Sequence, residues 1–85
     1  MKNKYLVNLI LPTIEMNFDV YIPNNKKVGT IKKKLLVSIA ELSNNAFTTS
    51  FEELKLIDRE TGKEYENDIC VKDTGIKNGS KIIIM

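Results

Sequence analysis

The side chains that catalyse reactions most often are nearly missing from this sequence. None of the 85 residues is a histidine, the side chain best suited to proton transfer near neutral pH. Cys70 is the single cysteine, so it has no partner for an intramolecular disulfide and no histidine to activate its thiol. We expect Cys70 to be a small, partly buried residue at a turn, and we predict that the protein is not an enzyme.

The acidic residues and the glycines form no recognisable ligand-binding motif. The pairs Asp68/Asp73 and Glu64/Glu66 lack the spacing of a calcium-binding loop. The four glycines are isolated, whereas a phosphate-binding loop needs them grouped. We therefore expect no metal and no cofactor, and carboxylates that are solvated at the surface.

One cluster of charge, the five lysines of the segment Lys26–Lys34, is a candidate for binding an acidic protein, a nucleic acid or an anionic membrane surface. The alternative is a solvated helix face, because Lys32, Lys33 and Lys34 would spread over about 200° around a helix. The net charge is only +2, and Arg59 is the single arginine among 13 basic residues. Arginine is the usual reader of phosphates and bases, so nucleic acid is an unlikely partner.

The sequence predicts one cytoplasmic domain over residues 1–85. This length suits a single domain, and no stretch approaches the ~20 apolar residues of a membrane span. The apolar run near the N-terminus is short and is followed by Pro12, where a signal peptide would need a small-residue cleavage site.

The longest periodic stretch, Lys27–Leu42, predicts an amphipathic helix around which the other elements are arranged. Lys33, Lys34, Val37 and Glu41 should face water, and Leu36 widens the apolar stripe. The stripe itself has apolar residues spaced by three or four positions, as on one side of a helix: Val28, Ile31, Leu35, Ile39 and Leu42.

Alternating apolar residues predict β-strands on both sides of the helix. Strands over residues 4–11 and 17–22 form a hairpin, and strands over 53–58, 64–66 and 81–85 follow the helix. We expect Ile69, Val71 and Ile76 to anchor the irregular segments, and Phe47 and Phe51 to lie under the helix end. The predicted fold class is α+β, with one helix packed on a mixed sheet of four to five strands. The residues predicted to point inward are Tyr5, Val7, Leu9, Phe18, Val20, Ile22, Leu54, Leu56, Tyr65, Ile82 and Ile84.

These elements, the helix pattern Val28-x-x-Ile31-Lys32-x-x-Leu35 and the ending VKDTGIKNGSKIIIM resemble the ubiquitin-like β-grasp fold. The resemblance implies that the last strand runs beside the first, and that Gly75 and Gly79 take positive φ in turns, where a Cβ would be strained. Among ubiquitin-like proteins, the sequence is most similar to the small bacterial YukD/EsaB family in its length and its ending. The positions of the ending that carry the resemblance are Val71, Asp73, Gly75, Ile76, Gly79, Ile82 and Ile84.

The YukD/EsaB resemblance implies a cytosolic accessory component of a type VII (ESX-like) secretion system. Such a protein would be a non-catalytic adaptor with protein partners, present as a monomer or a weak homodimer. Ubiquitin needs a glycine-glycine tail for conjugation, whereas this sequence has Ile83-Ile84-Met85 inside the last strand, so we expect no conjugation. On the sheet surface that ubiquitin uses, the exposed positions would be Lys55, Ile83 and Met85, with Leu6 and Ile10 as apolar neighbours.

Four further residues are assigned structural roles. Lys32 lies only about 40° from Val28 around the helix, at the border of the apolar stripe. The corresponding lysine of the ubiquitin-like pattern is largely buried with its ammonium paired, so Glu66 and Asp68 are candidate partners. The other three structural residues belong to the ending: Asp73, Gly75 and Gly79.

Overall fold

A mixed sheet of four strands, crossed by one helix, makes up the computed structural model, which describes residues 3–85. The strand order in the sheet is β2-β1-β4-β3. This arrangement confirms the α+β prediction. The elements in chain order are β1 (Lys4–Leu11), β2 (Met16–Pro23), α1 (Val28–Leu42), β3 (Leu56–Asp58) and β4 (Lys81–Ile84).

The β1–β2 hairpin is regular along its whole length. The two strands are antiparallel, in register from Lys4 opposite Pro23 to Leu11 opposite Met16. A 3₁₀ turn over Pro12–Ile14 joins them. β4 pairs with β1 in parallel, as the resemblance implied, and with β3 in antiparallel fashion.

The apolar face of α1 packs on the sheet as its periodicity predicts, except at its last residue. Leu42 is 48 % exposed. The buried position at this end belongs to Ser43, whose hydroxyl accepts the Phe47 N–H at 3.2 Å. Phe47 packs against the core. The buried apolar residues are Val7, Leu9, Leu11, Ile22, Val28, Ile31, Leu35, Ile39, Leu54, Leu56, Val71, Ile76, Ile82 and Ile84.

The start of α1 is stabilised by a distant segment and not by a capping side chain. Lys27 is the N-cap residue and makes no side-chain capping bond. The N–H of Val28 donates to the carbonyl of Ile69 at 2.9 Å, and the N–H of Gly29 donates to that of Asn67 at 3.0 Å. A Cβ on Gly29 would lie 3.3 Å from Asn67, so glycine suits this close approach.

Several predictions for the second half of the chain are wrong in detail. The strand predicted over 53–58 is three residues long, and the one over 64–66 is a single bridge between Ile57 and Glu64. Ile69 is exposed and does not anchor its segment through its side chain, although its carbonyl accepts the N–H of Val28 at the start of α1. Phe51 does not lie under the helix end: its ring is 5.8 Å from the ammonium groups of both Lys32 and Lys33, in the first half of α1.

Candidate functional site

The sheet face opposite α1 carries a row of three isoleucines. Ile57 of β3 is directly opposite Ile83 of β4, and Ile83 is directly opposite Ile10 of β1. Neighbouring strands lie about 4.7–4.9 Å apart, so the three side chains are contiguous. Each is partly exposed. We call this set, together with Met85, the apolar row.

Met85, the last member of the apolar row, and Lys55, at its border, lie just outside the ends of β4 and β3. The N–H of Lys55 donates to the Met85 carbonyl at 2.9 Å, and the N–H of Met85 donates to the Lys55 carbonyl at 3.1 Å. Met85 is 54 % exposed, and Lys55 is exposed beside it. The structure therefore brings together four of the five residues selected from the sequence for the partner surface: Ile10, Lys55, Ile83 and Met85.

Leu6 does not join them. On the same face of β1, Asn8 lies between Leu6 and Ile10, and its amide Nδ2 donates to Asp19 Oδ1 at 2.9 Å. Lys81 is opposite Asn8 on the other side, so a polar strip crosses the face here. Leu6 instead pairs with Tyr21, at the far end of the sheet.

Ile57, which was not among the residues predicted for the partner surface, completes the apolar row between Ile83 and the bridge to Glu64. The signal was present in the strand alternation. With Leu54 and Leu56 pointing inward, Lys55 and Ile57 must point to the opposite face.

The lysine segment Lys26–Lys34 is divided by the fold. The side chain of Lys32 is only 3 % exposed, whereas Lys26, Lys27, Lys33 and Lys34 are exposed. The ammonium of Lys32 contacts the Phe51 ring, a favourable arrangement of a cation over an aromatic face. Within residues 3–85 the Lys32 ammonium makes no ion pair with Glu66 or Asp68, so the prediction that one of these carboxylates pairs with it is wrong.

The turns of the chain ending use glycine and threonine. Gly75 and Gly79 have φ of +89° and +86°, the left-handed values expected of them. Asp73 is exposed, and the turn is stabilised by Thr74, whose hydroxyl donates to the Val71 carbonyl at 2.6 Å. The side chain that stabilises this turn is therefore that of Thr74 and not that of Asp73.

An open groove of about 380 Å³ lies beside Tyr65, between acidic side chains that include Asp58, Glu64 and Asp73. The pKa of Tyr65 is raised to about 12, first by burial of the phenol, then by the negative charges of Asp58 and Glu60 and by a hydrogen bond to Asp58. Among the described residues, no group of three or more His, Cys, Asp or Glu side chains could hold a metal ion. Cys70 is partly buried, with Sγ 3.5 Å from the Asn24 carbonyl.

The tyrosine pKa leads to a testable pH dependence. Tyr65 should lose its proton near pH 12 in the folded protein and near its ordinary value of 10.0 in the unfolded chain. Its contribution to stability is therefore present below pH 10 and lost as the pH rises toward 12. Asp58→Asn should lower the pKa of Tyr65 but leave it above 10, because burial and Glu60 remain. Ultraviolet titration of tyrosinate checks this, with Glu41→Gln as the control; an equal shift in both variants would contradict it.

None of the helices in residues 3–85 combines the length and the apolar character needed to cross a membrane.

No protein-family model matches the sequence, and no curated protein matches it either. Similar solved structures do exist. The ubiquitin-like domain of an Arabidopsis thaliana protein is 21 % identical, with a TM-score of 0.70, over 98 % of this chain and 77 % of that one. The ubiquitin of Caldiarchaeum subterraneum is 11 % identical, with a TM-score of 0.69, over 95 % and 90 %. ATBAG1, solved in complex with HSP70, is 17 % identical, with a TM-score of 0.70, over 95 % and 39 %.

These similarities show that the fold is the ubiquitin-like β-grasp, as the sequence resemblance predicted. None of these structures tests the resemblance to the YukD/EsaB family, so that resemblance stays a prediction.

Proposed function

We propose that this ubiquitin-like domain is a non-catalytic protein-interaction module that binds its partner through the apolar row. The observation that carries the proposal is the contiguity of Ile10, Ile57, Ile83 and Met85 on the sheet face opposite α1, where the isoleucines are partly exposed and Met85 is 54 % exposed. A contiguous apolar patch on a small domain usually marks an interface. The similarity to ATBAG1, a chain solved in complex with HSP70, is also in keeping with binding to a protein.

The charged residues around the apolar row indicate which side chains a complementary partner surface would carry. Lys55 borders the row at one end, and Lys81 lies on the polar strip at the other. A complementary surface would place apolar side chains over the isoleucines and acidic or neutral polar side chains at its rim. Such rim charges mainly set orientation and association rate, while the apolar centre supplies the affinity.

On the YukD/EsaB resemblance alone, we propose that the partner is a component of a type VII secretion system, met at its cytosolic side. Binding would be non-covalent, with the domain acting as an accessory subunit and not as a modifier conjugated to other proteins.

The proposal predicts that one exposed apolar side chain controls partner binding. Met85→Lys should weaken capture of the partner by about tenfold or more, because a charge would be buried in the apolar interface. Val37→Lys is the matched control, since Val37 is 61 % exposed on the far side of α1. The measurement is photo-crosslinking in the native cell, from a crosslinking amino acid placed at position 55, followed by quantitative mass spectrometry of the captured protein.

Two outcomes would contradict this function. In one, Met85→Lys and Val37→Lys retain the captured protein equally. In the other, binding is lost in a Lys33→Glu/Lys34→Glu variant and falls steeply with salt, which is the behaviour of a nucleic-acid or anionic-surface binder.

A further inference from the structure

The turn before β4 contains Asn78-Gly79, the single Asn–Gly pair in the sequence. In such a pair the backbone nitrogen of the glycine can attack the side-chain carbonyl carbon of the asparagine, because glycine has no Cβ to obstruct the approach. The cyclic imide that forms is the first product of spontaneous deamidation. Asn78 and Gly79 are both exposed and line a cavity of about 180 Å³, so the reaction is not prevented by exclusion of water.

One residue of β1 binds both of the reacting groups. The N–H of Leu6 donates to Asn78 Oδ1 at 2.8 Å. The N–H of Gly79 donates to the Leu6 carbonyl, also at 2.8 Å. Leu6 thus binds the side-chain carbonyl that would be attacked and the nitrogen that would attack it.

The conformation of the turn also keeps the two groups apart. The N–H of Ser80 donates to the Lys77 carbonyl at 3.1 Å, and the φ of Gly79 is +86°, whereas that of Asn78 is not positive. These are the features of a type II turn, in which ψ of the second residue is about +120°. The imide ring closes only when the Gly79 nitrogen swings to the side of the Asn78 Cβ, which requires ψ of the opposite sign. The turn must therefore open first, and its opening breaks the bonds to Leu6.

We propose that Asn78 is a site of spontaneous deamidation that the fold keeps closed through Leu6, and that it reacts only in molecules in which β1 has separated from this turn. In the open state the Gly79 nitrogen loses its proton to water and bonds to Asn78 Cγ, and the Cγ–Nδ2 bond breaks as ammonia leaves. Water then adds to either carbonyl of the imide and breaks the bond from that carbonyl to nitrogen. The net change converts an amide to a carboxylate, with one water consumed and one ammonia released.

The two possible products differ in how they fit the fold. Aspartate at position 78 keeps a side-chain oxygen that can accept the Leu6 N–H. Isoaspartate carries the backbone through the former side chain and lengthens the turn by one carbon, so the Gly79 N–H and an oxygen of residue 78 no longer both reach Leu6. This product therefore marks, irreversibly, a chain that has opened at this end of the sheet. The inference does not rest on the function proposed for the apolar row, which does not include Leu6.

Mass spectrometry of Asn78 at mildly alkaline pH measures the reaction in the native protein and in the same protein unfolded in urea. Deamidation should be at least about tenfold slower in the native protein, because only the open fraction reacts. Asn44 and Asn67, which glycine does not follow, are internal controls and should react more slowly than Asn78 in urea. Urea too dilute to unfold the protein should raise the deamidation rate and the hydrogen-exchange rate of the Gly79 amide by the same factor, since both need the same opening.

A proline variant tests the role of Leu6. Leu6→Pro removes the N–H that binds Asn78 and keeps the carbonyl, whereas the matched control Leu6→Val keeps both groups. Under native conditions Asn78 should deamidate about fivefold faster in Leu6→Pro, the effect of one lost hydrogen bond on the open population, and at the wild-type rate in Leu6→Val. Circular dichroism checks that both variants fold; if Leu6→Pro does not, the dilute-urea comparison decides.

The products provide a separate readout. The isoaspartyl protein, purified after reaction in urea and returned to native conditions, should exchange the Gly79 amide fast, whereas Asn78→Asp should keep wild-type protection there. The proposal is overturned by equal deamidation rates in native protein and in urea, by an unreactive Asn78 in urea, or by different factors for deamidation and exchange in dilute urea. Equal rates in folded Leu6→Pro and Leu6→Val, or an isoaspartyl protein with wild-type protection at Gly79, would also overturn it.

Discussion

Leu35→Ala should lower the free energy of unfolding by about 2–5 kcal/mol, the range for truncating a buried leucine to alanine. Leu35 is 5 % exposed and lies in the middle of the α1 stripe between Ile31 and Ile39. The truncation removes apolar contacts with the sheet and leaves a cavity. A domain of this size has stability near the low end of about 5–15 kcal/mol, so much of the protein would unfold at moderate temperature.

Chemical denaturation followed by circular dichroism measures this effect. The matched control is Val37→Ala on the same helix, where the side chain is 61 % exposed and a change of only about 0.5 kcal/mol or less is expected. Equal losses in the two variants would mean that α1 does not pack on the sheet through the face described.

Gly79→Val should destabilise the protein by roughly 1–3 kcal/mol, the cost of holding a side chain in a sparsely populated backbone region. The φ of Gly79 is +86°, and apart from Gly79 and its two chain neighbours no atom of the described residues lies within 4 Å of where its Cβ would be. The strain therefore comes from the backbone conformation and not from a clash. Gly79 cannot easily relax, because its N–H donates to the Leu6 carbonyl at 2.8 Å and sets the approach of β4 to β1.

The control at the same position is Gly79→Asn, since asparagine adopts positive φ more readily than a β-branched residue. Thermal unfolding should rank the proteins as wild type, then Gly79→Asn, then Gly79→Val. A valine variant as stable as the asparagine variant would show that the turn does not need positive φ at this residue.

Local patterns in the sequence were enough to predict the long, periodic elements. β1 was predicted with its exact bounds, and α1 and β4 to within one residue, because strict alternation and three-to-four spacing are local signals that packing on a single core reinforces. The positive φ of Gly75 and Gly79 is what the ubiquitin-like resemblance implied. The same resemblance implied Lys55, Ile83 and Met85 as surface positions, while strand alternation placed Ile10 on the outward face of β1.

Features that depend on contacts between distant segments could not be predicted from local patterns and are seen only in the folded chain. The start of α1 is stabilised by carbonyl groups of Asn67 and Ile69, about 40 residues further along the chain, so no capping residue marks it. At the end of α1 the buried residue is Ser43 and not Leu42, and Lys32 lies over the Phe51 ring and not beside a carboxylate. The free edge of β2 depends on strand order. Alternation reports which face a side chain occupies, but neighbours across a sheet are chosen by the path of the whole chain.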